Sequence, residues 1–166
     1  MLLLATAFAT TVRSQKEIQT SDTCRVFGQV EQPVSWTIED MAKIPSEKIG
    51  DVKITNHLGE FKKIYRDMRG IPIKLVLDKV KIRAENPKDL SAFFFVFRAT
   101  DGYCNVYSWN EIYNTALGDQ VFIVTAYKNQ NLATMPERIL AVSARDTHTG
   151  RRLLKGLASI EVRKVD

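Results

Sequence analysis

The sequence is poor in the side chains that build metal and redox centres. Its 166 residues include only two cysteines and two histidines. The cysteines, Cys24 and Cys104, are far apart, and neither belongs to a Cys-x-x-Cys pair. Neither has a second ligand at the spacing that zinc sites use. A zinc site or a dithiol redox motif therefore has no support in the sequence.

Long apolar stretches are also missing. A membrane-spanning helix needs at least about 18 apolar residues in a row, and no stretch of this sequence approaches that length. We therefore expect no stable membrane insertion. The segment 1–12 carries no charge and is followed by Arg13 and Ser14. It resembles the apolar part of a secretory signal peptide.

Small residues allow cleavage of this segment after Ala9 or after Ser14. We choose the second position, which predicts a signal peptide over 1–14 and an exported protein, periplasmic or secreted, that begins at Gln15. A buried N-terminal strand or helix is the alternative interpretation. Export would allow Cys24 and Cys104 to form a disulfide, but a domain of this size does not need one. We therefore expect two free thiols.

The chain also lacks a concentrated basic region. Its 24 Lys and Arg residues against 19 Asp and Glu residues leave a formal net charge of +5. These basic side chains are scattered along the sequence, whereas nucleic-acid-binding proteins usually concentrate them in a run or on one face. No nucleic-acid partner is expected.

The segment 93–111 is the most informative part of the chain for the fold. Residues 93–97 comprise four phenylalanines and one valine, which predicts a strand buried on both faces. The Asp101-Gly102 pair then predicts a tight turn, because glycine tolerates the positive φ that such a turn needs. A second, alternating strand follows the turn, and a short helix is predicted at 109–114. The other predicted strands are 24–30, 34–36, 51–57, 61–68, 120–126, 138–144 and 160–165.

Helices are predicted to be short and to lie between strands. Thr37 is a good N-cap for a helix at 38–44, which stops before Pro45. Residues 69–72 are expected to open a second helix at 73–80, and residues 128–131 to form a polar turn. Because strands outnumber helices, the sequence predicts an α+β fold with mixed β-sheets. It contains no repeat or linker, so we expect one domain over 15–166.

Several short patterns carry a family resemblance. In chain order they are Val26-x-Gly28-x-Val30-x-x-Pro33, Trp36-Thr37-Ile38-Glu39-Asp40, Gly70-Ile71-Pro72-Ile73-x-x-Val76-Leu77, Asp101-Gly102-Tyr103, Arg138-Ile139-Leu140 and Gly150-Arg151-Arg152-x-x-Lys155-x-Leu157-x-x-Ile160-x-Val162. Their order and spacing resemble the oxidoreductase molybdopterin-binding domain of the sulfite oxidase family, over nearly all of the chain after residue 14. The resemblance implies a mixed α+β domain whose sheets surround one deep cofactor pocket.

The chain differs from this family at the position of the metal-binding cysteine. Family enzymes hold molybdenum through one cysteine thiolate, in the loop after the strand that matches 51–55. Here the corresponding loop, 55–60, contains Asn56 and His57 but no cysteine. A thiolate is the soft ligand that such a metal needs, and a histidine is no simple replacement for it. We therefore expect no metal site and no bound cofactor, and keep molybdopterin as the alternative.

The resemblance also supplies candidate pocket residues. Arg152 and Lys155 match the basic residues of the family stretch that helps to hold the pterin and its phosphate, and both side chains suit an anion. The alternative is that they are solvated loop charges, and Gly156 stands where the family has an aromatic residue. The remaining candidates are Asn56, His57, Asp101 and Tyr103. For His57, a polar loop residue is favoured over a general base, and Asp101 is most simply a turn former.

Two functional hypotheses follow. The favoured one is an exported, non-catalytic protein of this fold, with a degenerate pocket that binds a small anionic ligand or an unknown protein partner. The other is a molybdopterin-dependent oxidoreductase of the sulfite oxidase family with an altered set of metal ligands.

Overall fold

The computed structural model describes residues 20–165, so the predicted signal peptide at 1–14 lies outside the described residues. The strands are β1 (Thr23–Gly28), β2 (Val34–Thr37), β3 (Glu47–Thr55), β4 (Phe61–Pro72), β5 (Phe93–Ala99), β6 (Cys104–Ser108), β7 (Val121–Tyr127), β8 (Gln130–Asn131), β9 (Leu140–Ser143), β10 (Leu154–Lys155) and β11 (Leu157–Lys164). The α-helices are α1 (Ile38–Met41), α2 (Ile73–Leu77) and α3 (Trp109–Tyr113), and 3₁₀ helices span Pro87–Ala92, Gly118–Gln120 and Thr149–Arg152.

These strands form two sheets. The first has the order β2-β1-β11-β5-β6; β1 and β11 run parallel, and the other neighbours are antiparallel. The second has the order β10-β9-β7-β4-β3, with β8 paired to β7, and all of its pairs are antiparallel. The structure is thus of the predicted α+β kind, made mostly of strands, with one mixed sheet and a few short helices.

The phenylalanine run forms an interior strand of the first sheet, between β11 and β6. Phe93, Phe95 and Phe97 lie on one face of β5 and are at most 1% exposed. On the other face, Val96 is buried and Phe94 is half-buried. The prediction of a strand buried on both faces is therefore confirmed for the face that joins the core and only in part for the other face, where Phe94 is half-buried and Arg98 is exposed.

The first helix begins as predicted but ends early. The Thr37 hydroxyl accepts a hydrogen bond from Asp40 N (3.1 Å), and the Asp40 carboxylate accepts one from Thr37 N (3.3 Å), which completes a capping box. The helix was expected to run to residue 44 but ends at Met41. Backbone bonds from Lys43 N to Asp40 O and from Ile44 N to Met41 O tighten the chain into a turn before Pro45.

Residues 69–72 were expected to open the second helix, and this prediction was wrong. They form the end of β4 and pair with β7, with Gly70 opposite Val124 and Ile71 opposite Ile123. A Cβ at Gly70 would lie 2.9 Å from Ile123 O, so the close approach of these strands favours glycine. The helical spacing that begins at Ile73 is real, but α2 ends at Leu77. The expected turn at 128–131 also contains a short strand, β8.

Both thiols are free, as expected. Cys24 is fully buried, and burial raises the pKa of its thiol to about 12. Cys104 is partly exposed, and its Sγ donates to Gly102 O at 3.2 Å. Over residues 20–165, no helix has the length and apolar character to cross a membrane.

Candidate functional site

A surface cavity of about 520 Å³ lies where the end of β3, the loop before β4, the β5–β6 turn and the segment 149–155 meet. We call it the basic pocket. Its described lining residues are Ile54, Thr55, Asn56, His57, Lys62, Tyr103, Gly150, Arg151, Leu153 and Lys155.

Four of the six sequence-predicted site residues line the basic pocket: Asn56, His57, Tyr103 and Lys155. The two others, Asp101 and Arg152, are not among its described lining residues. Two further cations, Lys62 and Arg151, line the pocket and were not predicted from the sequence.

A signal for one of the missed cations was present. Arg151 and Arg152 are neighbours in a 3₁₀ helix, where successive side chains are turned about 120° apart. The two side chains therefore point in different directions, and the Arg151-Arg152 pair in the sequence was the signal that either of them could line the pocket. For Lys62 no comparable signal exists, because a register shift of the β3–β4 ladder near Thr55 decides its position.

Asn56 shapes the loop on one side of the pocket. Its Oδ1 accepts hydrogen bonds from Leu58 N and Glu60 N, both at 3.0 Å, and its Nδ2 donates to Glu60 Oε2 at 2.8 Å. These hydrogen bonds stabilise the turn at 56–60, a role that asparagine side chains often have. His57 follows it with an exposed side chain.

The segment 149–155 is fixed to β3 on the opposite side. The buried Thr149 hydroxyl accepts from Thr55 N (3.1 Å) and donates to Lys53 O (2.7 Å). At Gly150 a Cβ would lie only 2.2 Å from Thr55 O. A residue with a side chain therefore does not fit there unless the two segments separate.

Tyr103 forms a third wall of the basic pocket. Its hydroxyl donates to Arg151 O at 2.7 Å, while 46% of the residue stays exposed. Its backbone N–H donates to Asp101 Oδ1 at 2.9 Å. Asp101 thus has the turn-forming contact that the sequence suggested, and it reaches the pocket only through Tyr103.

The pocket is cationic. Lys62, Arg151 and Lys155 line it, and no carboxylate is among the described lining residues. Lys62 Nζ lies 3.3 Å from Glu60 Oε2 on the surface. Within residues 20–165, Arg151 and Lys155 make no ion pair. Their positive charges are therefore available to an incoming anion.

Arg152 is placed quite differently. Its guanidinium lies over the Tyr107 ring (4.6 Å), and it pairs with Glu111 Oε1 through Nη2 (3.1 Å) and with Asp146 Oδ2 through Nε (3.4 Å). Burial alone would raise the pKa of the Glu111 carboxyl, but hydrogen bonds from Ser108 and the neighbouring Arg152 outweigh it and lower that pKa overall. The charge of Arg152 is thus balanced inside the protein. An anion-binding role for it stays a prediction.

A buried acid lies close to the pocket and was not anticipated. Glu137 is 4% exposed and accepts hydrogen bonds from the hydroxyls of Tyr65 (2.8 Å) and Tyr127 (2.6 Å). Lys63 Nζ lies 3.7 Å from its Oε1. Partial burial lowers the pKa of Lys63, and the positive charge of Lys155 lowers it further. Lys63 thus lies between the positive charge of Lys155, which lowers its pKa, and the carboxylate of Glu137, which raises it.

The donor set does not suit a thiolate-bound metal. The described pocket lining contains no cysteine, Cys24 is buried elsewhere, and Cys104 is bonded to the turn at Gly102. No group of three or more His, Cys, Asp or Glu residues with metal-binding geometry occurs in the part of the chain that the structure describes. The pocket residues thus do not fit the molybdenum centre that the family resemblance would imply.

Comparison with known proteins gives a similarity of fold. No family model matches the chain, and no curated protein does. Among solved structures, the sulfane dehydrogenase SoxCD from Paracoccus pantotrophus superposes with a TM-score of 0.60 at 13% sequence identity. The match covers 90% of this chain and 41% of the SoxCD chain, so the present chain spans about two fifths of that protein. At this identity the similarity concerns the fold alone.

Proposed function

We propose that this protein is a non-catalytic binding module with a molybdopterin-binding-domain type of fold, whose basic pocket holds a small oxyanion. One observation carries the proposal: three cationic side chains line a cavity whose described walls contain no carboxylate. The fold similarity to a sulfane dehydrogenase agrees with the fold that the sequence resemblance implies.

The chemistry of the lining suits an oxyanion. Arg151 offers a planar pair of donors and Lys155 a compact charge, which together recognise sulfate or phosphate well.

The absence of a thiolate ligand in the loop 55–60 supports a binding role over catalysis. The alternative is a molybdopterin-dependent oxidoreductase with altered ligands, which the likeness to a dehydrogenase fold favours. Metal analysis of protein purified from a molybdate-supplied host separates the two functions. We expect no stoichiometric molybdenum; a stoichiometric amount together with a pterin fluorophore would establish the oxidoreductase instead.

Titration calorimetry with sulfate and with inorganic phosphate tests the anion site. We expect Lys155→Gln to weaken binding about tenfold, the size of one charge-assisted hydrogen bond. Lys88→Gln is the matched control, because it removes the same charge from an exposed position outside the described pocket lining. Equal binding by wild type and Lys155→Gln, or no binding of either anion, would contradict the proposal.

We further propose that the protein is exported to the periplasm or the medium. The uncharged segment 1–12 and the small residue Ser14 support this. Sequencing the N-terminus of the protein recovered outside the cytoplasm should give Gln15 as the first residue. Retention of Met1 in the mature protein would exclude cleavage.

A further inference from the structure

We propose that the free edge of β6 is a docking site for an extended, acidic segment of a partner protein, which adds to the first sheet as a sixth strand. The inference does not depend on the proposed anion-binding function, because strand addition uses backbone groups of β6 and side chains of the first sheet.

The backbone of β6 presents unused hydrogen-bonding groups. β6 is the last strand of its sheet, with β5 as its neighbour. Ala99 N donates to Tyr103 O at 2.9 Å across the hairpin, and residues of an antiparallel pair direct their groups alternately toward the partner strand and away from it. Counted from Tyr103, Val106 and Ser108 point away, and Ser108 N indeed donates to the Glu111 carboxylate at 2.8 Å. The Val106 N–H and C=O therefore face outward, and neither bonds to another segment of residues 20–165.

The sequence of β6 does not protect this edge from strand addition. Residues 104–108, Cys-Asn-Val-Tyr-Ser, contain no charge and no proline, and their pairing with β5 has no register shift. The edge strand β3 of the second sheet is the contrast, because it carries two acidic residues, two lysines and three register shifts. Charges and bulges of this kind block pairing with another chain. The edge of β6 is thus open to a strand that β3 would reject.

The side of the first sheet that faces away from the core, which we call the outer face, is positively charged near this edge. The registers place Arg98 opposite Cys104 of β6, and Arg25 in the same row two strands further on. Both arginines are exposed, and neither makes an ion pair within residues 20–165. Glu161 also lies on the outer face, 3.9 Å from Arg163. The charge of Arg98 is therefore available to an acidic partner.

These features define the chemistry of the added strand. Its alternate side chains lie on the outer face beside Val106, which is 53% exposed. Because neighbouring strands are about 4.8 Å apart, the added strand lies about 10 Å from β5, a gap that an arginine and a glutamate side chain together span. An apolar side chain then covers Val106, and an acidic one balances Arg98. Main-chain hydrogen bonds supply affinity, and the alternate side chains supply specificity.

Two other occupants fit this edge less well. A second copy of the chain would pair β6 with β6, and β6 has no acidic side chain to balance Arg98. A nucleic acid would neutralise the arginines, but it has no peptide groups to pair with the Val106 N–H and C=O. An extended acidic segment uses both the backbone edge and the charge.

A binding titration of the purified full-length chain with a fluorescent peptide tests the charge requirement. The peptide alternates valine and glutamate over about six residues, the length of a typical strand, and a valine–lysine peptide is its control. We expect the acidic peptide to bind at least about tenfold tighter, and more weakly at higher salt. Arg98→Gln should weaken binding about threefold. Arg66→Gln, which removes the same charge from β4 of the second sheet, should bind as wild type does.

The backbone contact has its own test. Val106→Pro removes the outward N–H, a change that an edge strand tolerates, and its ring hinders an approaching strand. It should weaken peptide binding at least about tenfold, whereas Val106→Thr keeps the N–H and should stay within about threefold of wild type. If Val106→Pro does not fold, N-methylation of alternate peptide residues removes the same bonds from the other side and should cause the same loss. Hydrogen exchange of the Val106 amide should slow at least about tenfold when the acidic peptide is bound.

The results separate strand addition from the other occupants. Preferential binding of the acidic peptide together with slowed exchange at Val106 supports the proposal. No binding, equal binding of the two peptides, or full affinity of both the Val106→Pro variant and the N-methylated peptide overturns it. Self-association that Val106→Pro abolishes assigns the edge to a second copy instead, and tighter binding of a single-stranded oligonucleotide than of the acidic peptide also overturns the proposal.

Discussion

Arg152 and Lys155 are three positions apart in one segment, and the family resemblance treats them alike as anion ligands. In the folded protein they differ completely. Arg152 is held between two carboxylates and the Tyr107 ring, whereas Lys155 faces the basic pocket without an ion pair in the described chain. A basic residue is available to a ligand only where the fold leaves its charge unbalanced. The contrast predicts a separation of effects: Arg152 serves stability and Lys155 serves binding.

The largest expected effect is on stability. Arg152→Met should lower the free energy of unfolding by about 2 kcal/mol, because Glu111 and the mostly buried Asp146 lose a charged partner. This is less than for a fully buried pair, since the Arg152 side chain is 28% exposed. Denaturant unfolding measures the change. Lys155→Met, the control, should stay within about 0.5 kcal/mol of wild type, and equal losses in both variants would remove the distinction.

The next effect concerns the link that positions the pocket walls. Thr149→Val keeps the shape of the side chain but removes its hydrogen bonds to Thr55 N and Lys53 O. We expect a loss of about 1.5 kcal/mol in unfolding free energy, because both backbone groups are left without this partner. Chemical denaturation provides the measurement. A change below about 0.3 kcal/mol would show that the segment 149–155 is held to β3 by other contacts.

A smaller effect is the stabilisation that a bound anion provides. At a sulfate concentration of about five times Kd, the unfolding free energy of the wild type should rise by about 1 kcal/mol. Arg152→Met should retain this increment, and Lys155→Gln should lose most of it. Thermal or chemical unfolding at constant ionic strength, with chloride as the control anion, measures it. A loss of the increment in Arg152→Met alone would reverse the assigned roles.

The smallest effect is a pH dependence on the Arg152 side. The pKa of the Glu111 carboxyl is lowered from its ordinary value of 4.5, so the folded state favours the charged form. Its contribution to stability is present above about pH 4.5 and is lost as the pH falls through the lowered pKa. Exposure of 35% of the side chain keeps the contribution small. Unfolding free energies below pH 4.5 should fall less steeply for Glu111→Gln than for wild type; parallel curves would contradict this.

Local chemistry explains which elements were predictable. The capping box of Thr37 and Asp40 is formed by residues three positions apart, and the Asp101-Gly102 turn by adjacent ones, so both follow from the sequence. The residues 69–72 do not, because β4 continues through them only where β7 supplies its hydrogen bonds. Pairing between segments far apart in the chain overrides the local helical pattern there.

The sequence by itself determined the α+β class, the buried phenylalanine strand and the lack of a thiolate in the loop 55–60. Each of these depends on residue type or on neighbours a few positions apart. Only the tertiary structure decided which cations meet in one cavity. Lys62, Arg151 and Lys155 converge through the register of β3 with β4 and through the Thr149 link to β3. The same packing places Glu111 and Asp146 beside Arg152 and so balances its charge. These partners are far from Arg152 or not adjacent to it in the sequence, and only the folded structure brings them within ion-pair distance.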